Sequence, residues 1–128
     1  MVPIVTPLYA ALAALLLLFL TFRVIVLRRG KQVAFGDGGV PELMHAIRAH
    51  GNFVEYVPFA LLLILLIELT GDARGTVHGL GAILIIARVF HIWGVLPVNG
   101  PFFGRVIGVT LTLFVILGGV IRLLMHYV

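Results

Sequence analysis

From Leu8 to Phe22 the chain carries no charged side chain, and three further long apolar runs follow it. A helix of about 20 mostly apolar residues crosses a hydrocarbon core of about 30 Å. The runs are therefore read as four transmembrane spans, at about residues 5–27, 42–69, 76–96 and 102–126. They leave little of the 128 residues for anything else. The expected fold is an all-α integral membrane protein, a four-transmembrane-helix bundle occupying residues 1–128 as one domain. Composition agrees, because 62% of the chain is hydrophobic and 11% charged, against roughly half and a quarter in soluble domains. Those figures exclude a small soluble globule, and they exclude disorder, which needs low hydrophobicity and dense charge. The runs are continuously apolar rather than alternating with period two, which argues against a β-barrel.

Turn chemistry supports the divisions. Gly36-Asp37-Gly38-Gly39, Thr70-Gly71-Asp72 and Pro97-Val98-Asn99-Gly100-Pro101 fall between the runs, where glycine and proline interrupt helices. The last two connections are short, so consecutive helices are expected to be antiparallel neighbours. No Lys or Arg precedes Arg23, unlike the basic start of a cleaved signal peptide, so the first run is expected to be a retained span. Arg28, Arg29 and Lys31 follow span one, and Arg23 and Arg105 lie on the same side, against Arg74 and Arg122 on the other. By the positive-inside tendency, both termini are expected to face away from the cytoplasm.

Ionisable groups within spans are costly and point to function by default. In span two His45, Arg48, Asn52 and Glu55 follow one another at spacings of three, four and three, which places them on one helical stripe. Span three adds Arg88 and His91, three residues apart. At a rise of 1.5 Å per residue, Arg48 lies about 9 Å and Glu55 about 20 Å from the cytoplasmic end of span two, while His91 and Arg88 lie about 8 Å and 12 Å from the same surface. These groups share the cytoplasmic half of the bilayer with Arg23 and Arg105. The opposite half has little beyond Glu68 and Arg122 near the span ends.

A structural alternative is that Glu55 simply neutralises Arg48 or Arg88. One carboxylate cannot neutralise three or four arginines, however, and the excess of guanidinium favours an anionic ligand, with bidentate carboxylate recognition the natural geometry. Pro58 removes the usual partner of the Val54 carbonyl, and a kink there would open space beside the stripe; a tolerated membrane proline is the plainer reading. Gly104 and Gly108 have the small-xxx-small spacing of close helix packing. Tyr9, Trp93 and Tyr127 lie near span ends, where aromatic rings anchor in the interface.

Other chemistry is excluded. With no cysteine there is no disulfide, thiolate metal site or cysteine nucleophile. No two histidines have the i, i+4 spacing of a helical metal site, so no metal is expected. No phosphate loop, GxSxG or dinucleotide motif is present. The basic residues flank the spans and are explained by topology, without nucleic acid. A four-helix multidrug exporter would carry a carboxylate in span one, and this span one has none.

The segment Arg48-Ala49-His50-Gly51-Asn52-Phe53-Val54-Glu55-Tyr56-Val57-Pro58 resembles the RAxxNxxEYxP signature of the MAPEG superfamily, the membrane-associated proteins of eicosanoid and glutathione metabolism, and most closely its small bacterial members. The similarity continues through Ala87-Arg88-Val89-Phe90-His91-Ile92-Trp93-Gly94 and covers the four-span plan of nearly the whole chain. The resemblance implies a homotrimer in a bacterial inner membrane, with glutathione bound between neighbouring subunits near the cytoplasmic face and no metal. It assigns contacts with glutathione to Arg48, Asn52, Glu55 and Tyr56, adds Arg88 and His91 from span three, and matches Arg28-Arg29 to a basic pair after span one, with Arg29 in the ligand set. The arginine that activates the thiol corresponds to Arg105, across a loop that aligns only with a gap. Gly51 stands where the prostaglandin synthase branch has a second arginine, and Val95 where the leukotriene synthase branch has a tyrosine, so eicosanoid synthesis is not implied.

Residue chemistry agrees with the resemblance. Glutathione has two carboxylates, an ammonium and a thiol; arginines suit the carboxylates and Glu55 suits the ammonium. A guanidinium near sulfur favours the thiolate, the nucleophilic form, and preorganised charge in a poorly solvated site acts strongly. The expectation is a glutathione transferase or peroxidase whose thiolate attacks a lipophilic small molecule entering from the membrane lipids. The alternative is a non-enzymatic lipid-binding or scaffold membrane protein, in which the polar stripe is structural.

Overall fold

The computed structural model describes residues 2–128, and they form four helices joined by short connections. Helix α1 is Thr6–Lys31, α2 is Pro41–Leu69, α3 is Arg74–Val95 and α4 is Phe102–Tyr127. All four are long and apolar enough to cross a membrane, and no strand occurs among the described residues. The protein is thus an all-α, four-helix integral membrane bundle.

The spans begin and end where backbone chemistry allows. Pro7 and Pro41 stand in the first turns of α1 and α2, where a missing N–H costs nothing. Helix α1 runs past the expected Leu27 because Arg28, Arg29 and Lys31 occupy its last turn and favour the negative end of the helix dipole. Gln32 closes it in the left-handed region at φ 55°. One Arg28 nitrogen then donates to the Gly36 carbonyl at 2.8 Å and folds the α1–α2 loop back against the helix. Helix α2 continues unbroken through Pro58.

Burial follows packing against neighbours rather than hydropathy. Helix α1 is the most apolar span and the least enclosed; Leu15, Leu18 and Phe22 are exposed, as suits side chains whose solvent is lipid. The enclosed set runs through α2 and α3, with Ala49, Ala60, Ile64, Val77 and Leu84 fully buried. Tyr9 departs from the expected interfacial position. It is buried against the backbone of α3, where a Cβ on Gly81 would overlap its ring, and its hydroxyl meets His78 Nδ1 at 3.0 Å.

At the end of the bundle that holds the chain terminus and the α2–α3 connection, Glu68 does more than its position near a span end indicates. Its carboxylate accepts the backbone N–H groups of Ile4, Val5 and Thr6 at 2.6, 2.7 and 2.7 Å. Val5 at the N-cap offers no side-chain oxygen, so a residue of α2 caps α1. The positive end of the α1 dipole adds to the attraction. Arg122 pairs with Asp72 at the same end, with Nη2 donating to Oδ1 at 2.9 Å. The guanidinium holds the Asp72 carboxyl below the usual carboxylate range.

Hydrogen bonds to a charged group contribute about 1.5–3 kcal/mol each, and the three at Glu68 act on one helix end. Glu68→Gln, which keeps an oxygen but loses the charge, is expected to lower stability by about 1–3 kcal/mol, and Glu68→Ala to lower it further by orphaning three donors. Unfolding titrations in mixed detergent micelles measure both; equal stability of Glu68→Ala and wild type would contradict the capping role.

Candidate functional site

The opposite end of the bundle is organised by glycine. A Cβ on Gly94 would collide with the backbone of Arg105, and one on Gly104 would lie 2.9 Å from both Gly94 Cα and the Phe90 carbonyl oxygen. One on Gly108 would stand 2.5 Å from His91 Cβ and 2.6 Å from His91 N. Helices α3 and α4 therefore touch backbone to backbone, and they form the most extensive helix pair in the bundle. The Gly104–Gly108 spacing works inside the subunit, and its effect is to set Arg105 and His91 on the walls of one cavity.

That cavity encloses about 410 Å³, within the range of about 300–1,000 Å³ typical of small-molecule sites. Helix α2 supplies Met44, His45, Arg48 and Asn52; α3 supplies His91 and Val95; α4 supplies Arg105 and Val109. A closed seam too narrow to admit water adjoins it, between Asn52, Tyr56, Arg88, Val109, Thr112 and Leu113. Arg88 is 1% exposed, and its Nη1 donates to Asn52 Oδ1 at 3.0 Å. Its Nε and Nη2 are buried with no partner. His45 Nδ1 lies 2.7 Å from the Val95 carbonyl oxygen and ties α2 to α3 at the cavity wall.

Of the residues expected to act together, the structure brings Arg48, Asn52, His91 and Arg105 around one cavity and Tyr56 and Arg88 along the adjoining seam. Glu55 is exposed and lines neither space, and Arg29, on the last turn of α1, is exposed and outside both linings. Glu55 pairs with neither Arg48 nor Arg88; the ion pair among the described residues is that of Arg122 with Asp72. Pro58 lies within a continuous α2 and does not line the cavity. Two wall residues were readable by register: Val109 follows Arg105 by four, and His45 precedes Arg48 by three. The roles of Val95 and Thr112 depend on how α3 and α4 meet, which span-by-span reading does not supply.

The electrostatics are one-sided. The cavity and the adjoining seam hold Arg48, Arg88 and Arg105 and no carboxylate. Two guanidinium groups on one open cavity, with a third buried behind its wall, favour an anion that brings its own acceptors. A slightly larger space of about 480 Å³ lies at the other end, beside Asp72, Arg122 and His126. There the arginine already has its carboxylate, and the demand for a ligand is absent. No group of three His, Cys, Asp or Glu able to hold a metal occurs among the described residues.

The family model described as MAPEG family matches residues 6–125. Two curated relatives, both named inner membrane protein YecN, come from Escherichia coli strain K12 and from the O6:H1 strain CFT073. Each is 48% identical over 90 residues, which cover 70% of this chain and 69% of the relative. No solved structure matches the chain significantly.

The glycine contacts supply a test of how the cavity is built. Gly108→Ala should cost about 1–3 kcal/mol by overpacking and displace Arg105 relative to His91. Gly79→Ala, where an added Cβ meets nothing within 4 Å, should be neutral or slightly stabilising through helix propensity. Thermal unfolding of both variants in detergent distinguishes them, and equal melting temperatures would count against the close approach of α3 and α4.

Proposed function

The chain belongs to the MAPEG family, and on that premise we propose that it is a membrane-bound glutathione transferase or peroxidase acting on lipophilic electrophiles or hydroperoxides. The observation that carries the reading is the excess of guanidinium at one cavity: Arg48 and Arg105 on walls without a carboxylate, with Arg88 buried behind Asn52. Glutathione supplies what is missing, since its two carboxylates offer bidentate acceptors to arginine. Asn52 adds a polar contact on the cavity wall, with Tyr56 beside it in the adjoining seam. Arg105 faces the thiol and stabilises the thiolate, so the enzyme needs no nucleophile of its own, in keeping with a chain without cysteine.

The exposed charges support a homotrimer with the site between subunits. Arg48, Glu55 and Arg105 are all exposed on a single subunit at a depth where a charge facing lipid is expensive. A neighbouring subunit that covers the open side of the cavity removes that cost, and it lets Glu55 reach the ammonium of a ligand seated across the boundary. Arg29 lies at the same end of the bundle and completes the ligand set. The relatives' name supports placement in the inner membrane; the basic residues after span one favour both termini away from the cytoplasm and the site near the cytoplasmic face.

Titration of the purified protein with glutathione should show saturable binding and a rise in thiolate absorbance in the ultraviolet. Loss of one charge-assisted hydrogen bond costs about 1.5–3 kcal/mol, so Arg48→Ala should weaken binding by about 10- to 150-fold. Arg105→Ala should keep most of the binding and lose most of the thiolate signal. A folded trimer that binds no glutathione would overturn the proposal; lipid binding indifferent to glutathione, with Arg48→Ala only less stable, would favour a scaffold.

A further inference from the structure

Resting on the glutathione reading above, we propose that His45 is the catalytic proton acceptor, taking the thiol proton on Nε2. Arginine stabilises a thiolate but stays protonated itself, so a site of Arg48, Arg88 and Arg105 provides for the charge on sulfur and leaves the proton without a destination. The cavity walls carry no carboxylate. Asn52 Oδ1 is occupied by Arg88. The basic nitrogens that remain belong to His45 and His91.

Geometry separates these two rings. A carbonyl oxygen only accepts, so the contact of 2.7 Å between His45 Nδ1 and the Val95 oxygen puts a proton on Nδ1, and in the neutral ring the lone pair then lies on Nε2. His45 Nε2 has no hydrogen-bond partner among the described residues, and the ring lines the cavity beside Arg48, His91 and Arg105. His91 is 4% exposed, and no hydrogen bond among the described residues sets its tautomer. His45 is thus the ring presented in the accepting form.

In the step itself the S–H bond breaks, its electron pair stays on sulfur and the proton passes to His45 Nε2. The resulting imidazolium and thiolate sit among guanidinium groups that favour the negative partner. When the thiolate attacks an electrophilic carbon, the S–C bond forms and the leaving group departs with its bonding pair. The imidazolium then returns its proton to that group, which restores the neutral ring.

His45→Asn keeps an N–H donor within reach of the Val95 carbonyl and lacks a basic nitrogen. Micelle mass and thermal unfolding establish that the variant is assembled, equilibrium titration reads glutathione binding, and stopped-flow ultraviolet absorbance reads thiolate formation. The expected result is binding little changed, thiolate formation slowed by about 100-fold or more, and partial recovery on adding free imidazole. Retained binding with an unchanged rate would overturn the role of His45 and leave the glutathione site standing. Absence of binding by the wild type would overturn both. If the variant does not assemble, the nitrogen-15 spectrum of the wild type without glutathione decides the matter: a bare Nε2 on His45 is expected, and a proton on Nε2 overturns the proposal.

Discussion

Everything at the basic end of this bundle depends on the contact between the backbones of α3 and α4. Helices in a bilayer gain nothing from hiding apolar side chains from water, since lipid tails are as apolar as leucine, and association rests instead on close packing and hydrogen bonds. Gly94, Gly104 and Gly108 let α3 and α4 meet with no side chain between them. That meeting places Arg105 and Val109 opposite His91 and Val95. It also holds Val95 where its carbonyl can accept from His45 on α2. Three helices are thereby locked into one wall, and the polar groups on it cannot move apart without separating backbones.

The two ends of the bundle treat charge in opposite ways. At the end carrying Glu68, charged groups are matched within the subunit: Glu68 by three backbone donors of the α1 start, and Asp72 by Arg122. At the other end, Arg48, Arg105 and most of the Arg88 guanidinium have no partner among the described residues. Burying a charge without its partner costs far more than burying a pair. The matched end needs nothing further. An anion with its own acceptors would complete the unmatched end.

How much of this was legible in the sequence depended on the range of the interaction concerned. The spans are set by local apolarity, so their number and positions follow from sequence, and the main shift at α1 comes from basic residues that extend a helix end. The Arg48 and Asn52 face follows from helical periodicity. Glu55, three residues beyond Asn52, falls outside the cavity because α3 and α4 supply its other walls, and helical register on α2 alone does not select which part of the stripe they meet. Glu68 reads as an isolated acid near a span end, because its partners are backbone N–H groups about 60 residues away and main-chain donors leave no mark in a sequence. The same holds for the His45 contact, whose acceptor is a carbonyl.

The capping of α1 by Glu68 also orders events during synthesis. The N–H groups of Ile4, Val5 and Thr6 are made first, and their carboxylate follows 62 to 64 residues later. At about 5–20 residues per second that separation is about 3–13 s. During that interval the amino-terminal donors of the first span depend on water or headgroups. The contact that closes the α1–α2 hairpin at its open end can therefore form only after both helices have been made.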